Sequence, residues 1–276
     1  MDQRSPVVIL GAGYTGLVIH ALGTAMGLTV LAGSRSPHEH LASILASQRL
    51  LFDLEQPQTW ANIPERARLV WCFPAVPETL VQGFAERVAP RISRLVVLGS
   101  TSAYKPAAPQ KKGAAAPLID ETSPIDLALP RMRGEEWLRA HCGAIILRSA
   151  GIYGPGRHVL DWIRHGRVTA SPRYVNLVHV EDLAGICLAA LERGSAGSVY
   201  NVSDGQPRPW AEICRIARQR WGVESSKENR KPEGGPGKRI AIAKLQAELG
   251  YTFRHPDLYD ALDTIENAAH HKLESL

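Results

Sequence analysis

Six residues near the start of the chain, Gly11-Ala12-Gly13-Tyr14-Thr15-Gly16, have the types and spacing to hold a pyrophosphate. An apolar run, Pro6–Leu10, precedes them, and a helical pattern reaching about Met26 follows. In a strand–turn–helix, Gly11 permits the tight turn, Gly13 lets the backbone approach the phosphates, and Gly16 allows the helix to pack on the strand. The helix start, with Tyr14 and Thr15, then offers free N–H groups and a partial positive charge. The alternative is a turn that only packs well. The end of the next apolar run, Ala32-Gly33-Ser34-Arg35-Ser36, selects the nucleotide. It has no carboxylate to accept from ribose hydroxyls, whereas Arg35 could pair with a 2′-phosphate. The expected cofactor is therefore NADP, with NAD left open and a solvated Arg35 as the alternative. Asp53-Leu54 is expected at the adenine edge and Phe73-Pro74 alongside the dinucleotide; all four could instead be ordinary strand-end residues.

These residues need a sheet to bring them together. Strands are predicted at 6–10, 28–32, 50–52, 69–73, 95–98 and 144–147. Helical spacing between them falls at His38–Ser47, Pro77–Val88 and Glu135–His141. Continuous apolar strands alternating with helices imply an α/β fold, a doubly wound parallel sheet buried on both faces. After Leu147 the texture changes. Gly151–Gly156 reads as a turn-rich loop, followed by a helix at Val180–Glu192, a strand at Val199–Val202, and helices at Pro209–Trp221, Ala243–Leu249 and Pro256–Ala268. The reading divides the chain into 1–150, a nucleotide-binding unit whose sheet is completed by later segments, and 151–276, a small lobe over the C-terminal strand ends.

Composition narrows the class. The chain has 276 residues, 45% hydrophobic and 21% charged, enough for a sizeable core and against disorder. No apolar run reaches the roughly 18 residues of a membrane span, and the N-terminus lacks the pattern of a secretory signal. The net charge of +5 comes from 32 Lys and Arg against 27 Asp and Glu. The basic residues are dispersed, which argues against nucleic acid and suits a polyanionic small ligand. Cys72, Cys142, Cys187 and Cys214 form no CxxC pair and are expected as reduced thiols of a cytoplasmic protein. The ten histidines form no HxxxH pair and, apart from His38-Glu39-His40, no HxH pair, and no metal site is expected.

Five segments in order carry a resemblance: Gly11–Gly16, Leu98–Tyr104, Leu147–Arg157, Val178–Ala184 and Val199–Asp204. Together they resemble the extended, and more closely the atypical, short-chain dehydrogenase/reductases, the NAD-dependent epimerase/dehydratase-like superfamily. The resemblance implies a Rossmann domain with a small C-terminal α/β substrate lobe, acting on a small, anionic carbonyl or hydroxyl compound. It also implies a homodimer through the flanking helices. Ser100 would orient the reacting oxygen with Thr101 beside it, Tyr104 would pack, and Ser149, Ala150 and Gly151 would lie against the nicotinamide. Arg157 and His158 would point towards substrate, with a surface position the alternative for His158. Lys238-Arg239, with Arg230 and Lys231, could hold a substrate anion or be a solvated basic loop. His179 would fix a helix start ahead of Glu181 and Asp182.

One departure from that family decides how far the analogy goes. Its acid/base tyrosine and the lysine four residues later have no counterpart in 126–138: one register gives Ala128 and Met132, the next Leu129 and Arg133. Arg133 could keep the ribose or phosphate contact of the missing lysine. Without a tuned acid, carbonyl reduction loses on the order of 10²–10⁴ in rate. Tyr153, His158, Asp120 or Glu121 could take over, the chemistry could need no strong acid, or the protein could bind NADP(H) without turnover.

Overall fold

A computed structural model describes residues 5–105, 115–226 and 235–274. Seven strands form one parallel sheet: β1 (Val7–Leu10), β2 (Val30–Ser34), β3 (Arg49–Leu51), β4 (Arg68–Trp71), β5 (Arg94–Ser100), β6 (Ile145–Ser149) and β7 (Val199–Val202). Their order is β7-β6-β5-β4-β1-β2-β3, so the winding reverses between β1 and β4. That reversal opens a crevice at the C-terminal strand ends, where doubly wound sheets bind ligands. The register sets Leu10 beside Gly33 and Trp71, and Ser100 beside Ser149.

The helices are α1 (Tyr14–Ala25), α2 (Pro37–His40), α3 (Glu78–Val88), α4 (Pro130–Cys142), α5 (Val159–Arg164), α6 (Val180–Arg193), α7 (Trp210–Trp221), α8 (Ala243–Leu249) and α9 (Leu258–Glu274). Alternate strand residues feed two cores. Ile9, Val30, Val70 and Val96 pack with Ile19 of α1 and Leu183 and Ile186 of α6. Val8, Leu10, Leu69 and Val97 face Phe84 of α3 and Leu138 of α4. A third core, with Tyr153, Leu160, Ile213 and Leu262, joins α5, α7 and α9 in the C-terminal lobe. Among the described residues no helix is long and apolar enough to cross a membrane.

Three sequence expectations need correction. The helix expected at His38–Ser47 stops at His40, because the Arg49 side chain takes the carbonyls of Ile44 (2.7 Å) and Ala42 (3.0 Å). Tight turns follow, with Ile44 N–H bonded to Leu41 and Gln48 N–H to Leu45. The fourth helix begins at Pro130 rather than Glu135, with proline in the first turn where its missing N–H costs nothing. Gly151–Tyr153, expected as loop, is a strand pairing with Leu177–His179, a partner too distant in sequence to show as local pattern. Lys227, Arg230 and Lys231 of the expected basic loop lie outside the described residues, as do the side chains of His270 and His271.

Candidate functional site

The glycine turn is built as its residue types require. Gly11 has φ +82°, and a Cβ there would stand 2.7 Å from the Phe73 ring. A Cβ on Gly16 would lie 3.0 Å from both the Gly11 carbonyl and Ile9, so α1 can seat closely on β1 only with glycine there. Gly11 and Ala12 N–H groups both donate to the Gly33 carbonyl, at 3.2 and 2.9 Å, tying the turn to β2. Gly13 has nothing within 4 Å of its Cβ position, and no side chain caps the N-terminus of α1. The first-turn N–H groups therefore remain available to a ligand.

A groove runs from this turn in two directions. One half is a cleft of about 710 Å³ lined by Gly11, Gly13, Tyr14, Arg35, Asp53, Leu54, Phe73 and Pro74, together with Ser34 and His40. The other half, about 550 Å³, repeats Gly11, Gly13, Tyr14, Phe73 and Pro74 and adds Thr15, Gly16, Ser100, Ser149, Ala150, Arg131 and Arg157. Arg35 forms no ion pair with any described residue. The Asp53 carboxylate is occupied locally, accepting from the Glu55 N–H and Gln56 Nε2, each at 3.0 Å. Cys72 lines both halves, but burial pushes its thiol up to about 12, so no thiolate stands there at neutral pH.

Three expected site residues do not line the groove. Thr101 is buried, its carbonyl accepting from Lys238 Nζ. Gly151 enters the short strand opposite Leu177 and donates its N–H to the Asn176 carbonyl. Arg133 turns away, donating to Glu78 at 3.0 Å and to the carbonyls of Leu127 and Ala128. Two residues of α-helix rotate a side chain by about 200°, so α4 presents Arg131 to the groove in place of Arg133. The signal for Arg131 was its i,i+4 spacing to Glu135: Nη2 and Nε donate to Glu135 Oε1 at 3.1 and 3.3 Å.

Ser100 Oγ accepts from the Ser102 N–H (3.1 Å) and Ser102 Oγ (3.0 Å). Ala128 is exposed and Met132 fully buried, so neither supplies a proton. Tyr153 is fully buried, its hydroxyl without a partner among the described residues and its ionisation pushed up by burial. His158, also buried, caps α5 through its Nδ1, which accepts from the Leu160 N–H at 3.2 Å. Asp120 caps its own turn through Thr122 and Ser123. Glu121 accepts from the Asn201 N–H on edge strand β7. None of the four lines either half of the groove.

Tyr104 packs as expected, with its hydroxyl donating to Asn201 Oδ1 at 2.6 Å and the Arg148 guanidinium over its ring. Lys238 stands over the same ring at 5.6 Å, and burial lowers its pKa; Arg239 donates to the Ala116 carbonyl. His179 caps α6, its Nδ1 accepting from the Glu181 N–H at 3.3 Å. The fold adds His255, with Nε2 2.9 Å from the Glu181 carboxylate. The potential ligand atoms of His179, Glu181 and His255 lie within 4.8 Å of one another, a grouping that short-range histidine patterns do not reveal. These polar groups bond largely among themselves.

No family model matches the chain. Over 177 residues it is 30% identical to Protein YeeZ of Escherichia coli (strain K12), covering 62% of this chain and 61% of YeeZ. The match thus spans about three fifths of that curated relative. Among solved structures, a Methylobacillus flagellatus protein assigned to the NAD-dependent epimerase/dehydratases is 25% identical, with a TM-score of 0.74 over 96% of this chain and 99% of that one. A short-chain dehydrogenase/reductase superfamily protein from Agrobacterium tumefaciens, solved with bound NAD, is 14% identical with a TM-score of 0.78, covering 98% of each chain.

Proposed function

The chain has the fold of the short-chain dehydrogenase/reductases of the NAD-dependent epimerase/dehydratase-like superfamily, and from that premise we propose that it is an NADP(H)-dependent oxidoreductase or epimerase-like enzyme acting on a small carbonyl or hydroxyl compound. The supporting observation is the open groove, with Arg35, which has no carboxylate partner among the described residues, at one end and Ser100 at the other. Free N–H groups at the start of α1 would bind the pyrophosphate, and Arg35, with Ser34 and His40 near it, would hold a 2′-phosphate. When bound, the dinucleotide gives or takes a hydride. Ser100 would orient the substrate oxygen, while Ser149 and Ala150 would support the nicotinamide side. The free cysteines fit a cytoplasmic setting.

Calorimetry with NADPH and NADH tests the cofactor. Arg35→Ala should weaken NADPH binding by about 1–3 kcal/mol and leave NADH nearly unchanged. Equal losses for both would remove Arg35 as selector, and no heat with either coenzyme would end the dinucleotide reading. A second reading, a silent NADP(H)-binding sensor or partner protein, is favoured by the missing tyrosine and lysine, since neither Ala128 and Met132 nor Leu129 and Arg133 supplies that pair. The two readings diverge in NADPH consumption over a panel of carbonyl compounds. Turnover abolished by Ser100→Ala at unchanged NADPH affinity supports the enzyme; full activity in that variant refutes the role of Ser100. NADPH binding without turnover of any compound supports the sensor.

A further inference from the structure

The half of the groove that contains Ser100 is lined by two charged side chains, Arg131 and Arg157, and by no acid. Their places differ. Arg157 lies over the ring of Tyr14, the first residue of α1, at 5.3 Å, and so stands beside the glycine turn. Arg131 projects from the first turn of α4 and is clamped by Glu135, which is 1% exposed. Glu135 is packed against the residue preceding Ser100: a Cβ on Gly99 would stand 2.8 Å from Glu135 Oε2. The next residue towards the helix start, Gly134, rests on the Ala75 backbone after β4. α4 is thus wedged over the ends of β4 and β5, and the clamp fixes the Arg131 guanidinium beside them. Nε and Nη2 are used on Glu135, while Nη1 makes no hydrogen bond among the described residues. A guanidinium stays charged, donates only, and has the planar fork that matches a carboxylate.

Resting on the oxidoreductase reading, we propose that Arg131 is the substrate anchor: it binds the carboxylate of a 2-oxo or 2-hydroxy acid and so sets the neighbouring oxygen at Ser100. Glu135 is a positioning residue that does not touch substrate. Its burial keeps the guanidinium from swinging to solvent, so the donors are already in place when the anion arrives. The arrangement supplies fixed positive charge beside the reacting oxygen, close in the chain to the positions where the tyrosine and lysine are missing. Carbonyl compounds without a carboxylate would find no strong anchor.

The test is calorimetric titration of oxamate, oxalate and uncharged acetamide into protein saturated with NADPH. Oxamate and oxalate should bind in roughly the millimolar range and acetamide should not. Arg131→Met should weaken both anions about tenfold or more, and Arg131→Lys should recover part of the loss. NADPH affinity should stay within about twofold in every variant. Because Arg131→Met strands a buried carboxylate, R131M/E135Q is measured beside it; this double variant should keep the wild-type circular dichroism and still lose the anions. The anchor is overturned if the NADPH complex takes neither anion, or if Arg131→Met and R131M/E135Q both bind them as well as wild type. An equal loss of NADPH affinity would assign Arg131 to the cofactor phosphates and overturn it too. Failure of the wild type to bind any pyridine nucleotide takes down both readings, whereas NADPH binding without anion binding removes only the anchor.

Discussion

His179 stands 3% exposed between Tyr153 and His255, with ring centroids 5.2 and 3.7 Å away. Burial, then the charge of His255, lowers its pKa to about 4, against the opposing pull of Glu181 and Asp182. Between about pH 4 and 6.5 the folded protein therefore holds this ring neutral while the unfolded chain protonates it. Unfolding takes up a proton there, so stability rises with pH across that window and levels off above it, by about 3 kcal/mol from this group. His179→Asn retains an oxygen able to cap α6 but removes the titration. Urea unfolding at several pH values should give the variant a shallower slope between pH 4 and 6.5; an unchanged slope would assign the pH dependence to other groups. The same residue shows what local sequence can disclose. A histidine directly before Val180-Glu181-Asp182 reads as a cap, but nothing nearby announces His255.

At the scale of elements, α4 carries the site and shows where periodicity helped and where it misled. The pattern located a helix at Glu135–His141, but not the turn before it, and that turn decides which arginine enters the groove. With the start at Pro130, Arg131 and Glu135 share a face and Arg133 is left for Glu78. The seat of α4 depends on Gly134, where a Cβ would overlap the Ala75 carbonyl oxygen. Gly134→Ala should therefore destabilise the fold by about 1–3 kcal/mol despite the better helix propensity of alanine. Gly83, on α3, is the control. The nearest atom to its Cβ position is Trp60 Cη2 at 3.9 Å, so Gly83→Ala should gain up to about 1 kcal/mol. Denaturant unfolding reads both, and a Gly134→Ala protein as stable as Gly83→Ala would contradict the close seat. The small ladders, such as Leu118–Ile119 with Arg239–Ile240, have no sequence signature because two residues cannot show a period.

For the whole molecule, chain order and spatial order diverge after residue 150. α6 and β7 return to complete the sheet and its first core, while α5, α7 and α9 gather the third core. The sequence by itself determined the parallel sheet, through buried apolar runs alternating with helices, and the glycine turn after β1, because tight backbone geometry selects glycine at Gly11 and Gly16. It also placed Arg35, Asp53, Phe73 and Ser100 at strand ends, where a parallel sheet converges on one crevice. What only the tertiary structure decided is which polar groups face that crevice. Tyr153, His158 and Glu121 carry suitable chemistry but lie buried or elsewhere, while Arg131 enters because α4 starts at Pro130 and wedges against Ala75 and Gly99. A residue type fixes what a side chain can do; the rotation and seating of its helix, set by contacts far away in the chain, fix what it can reach.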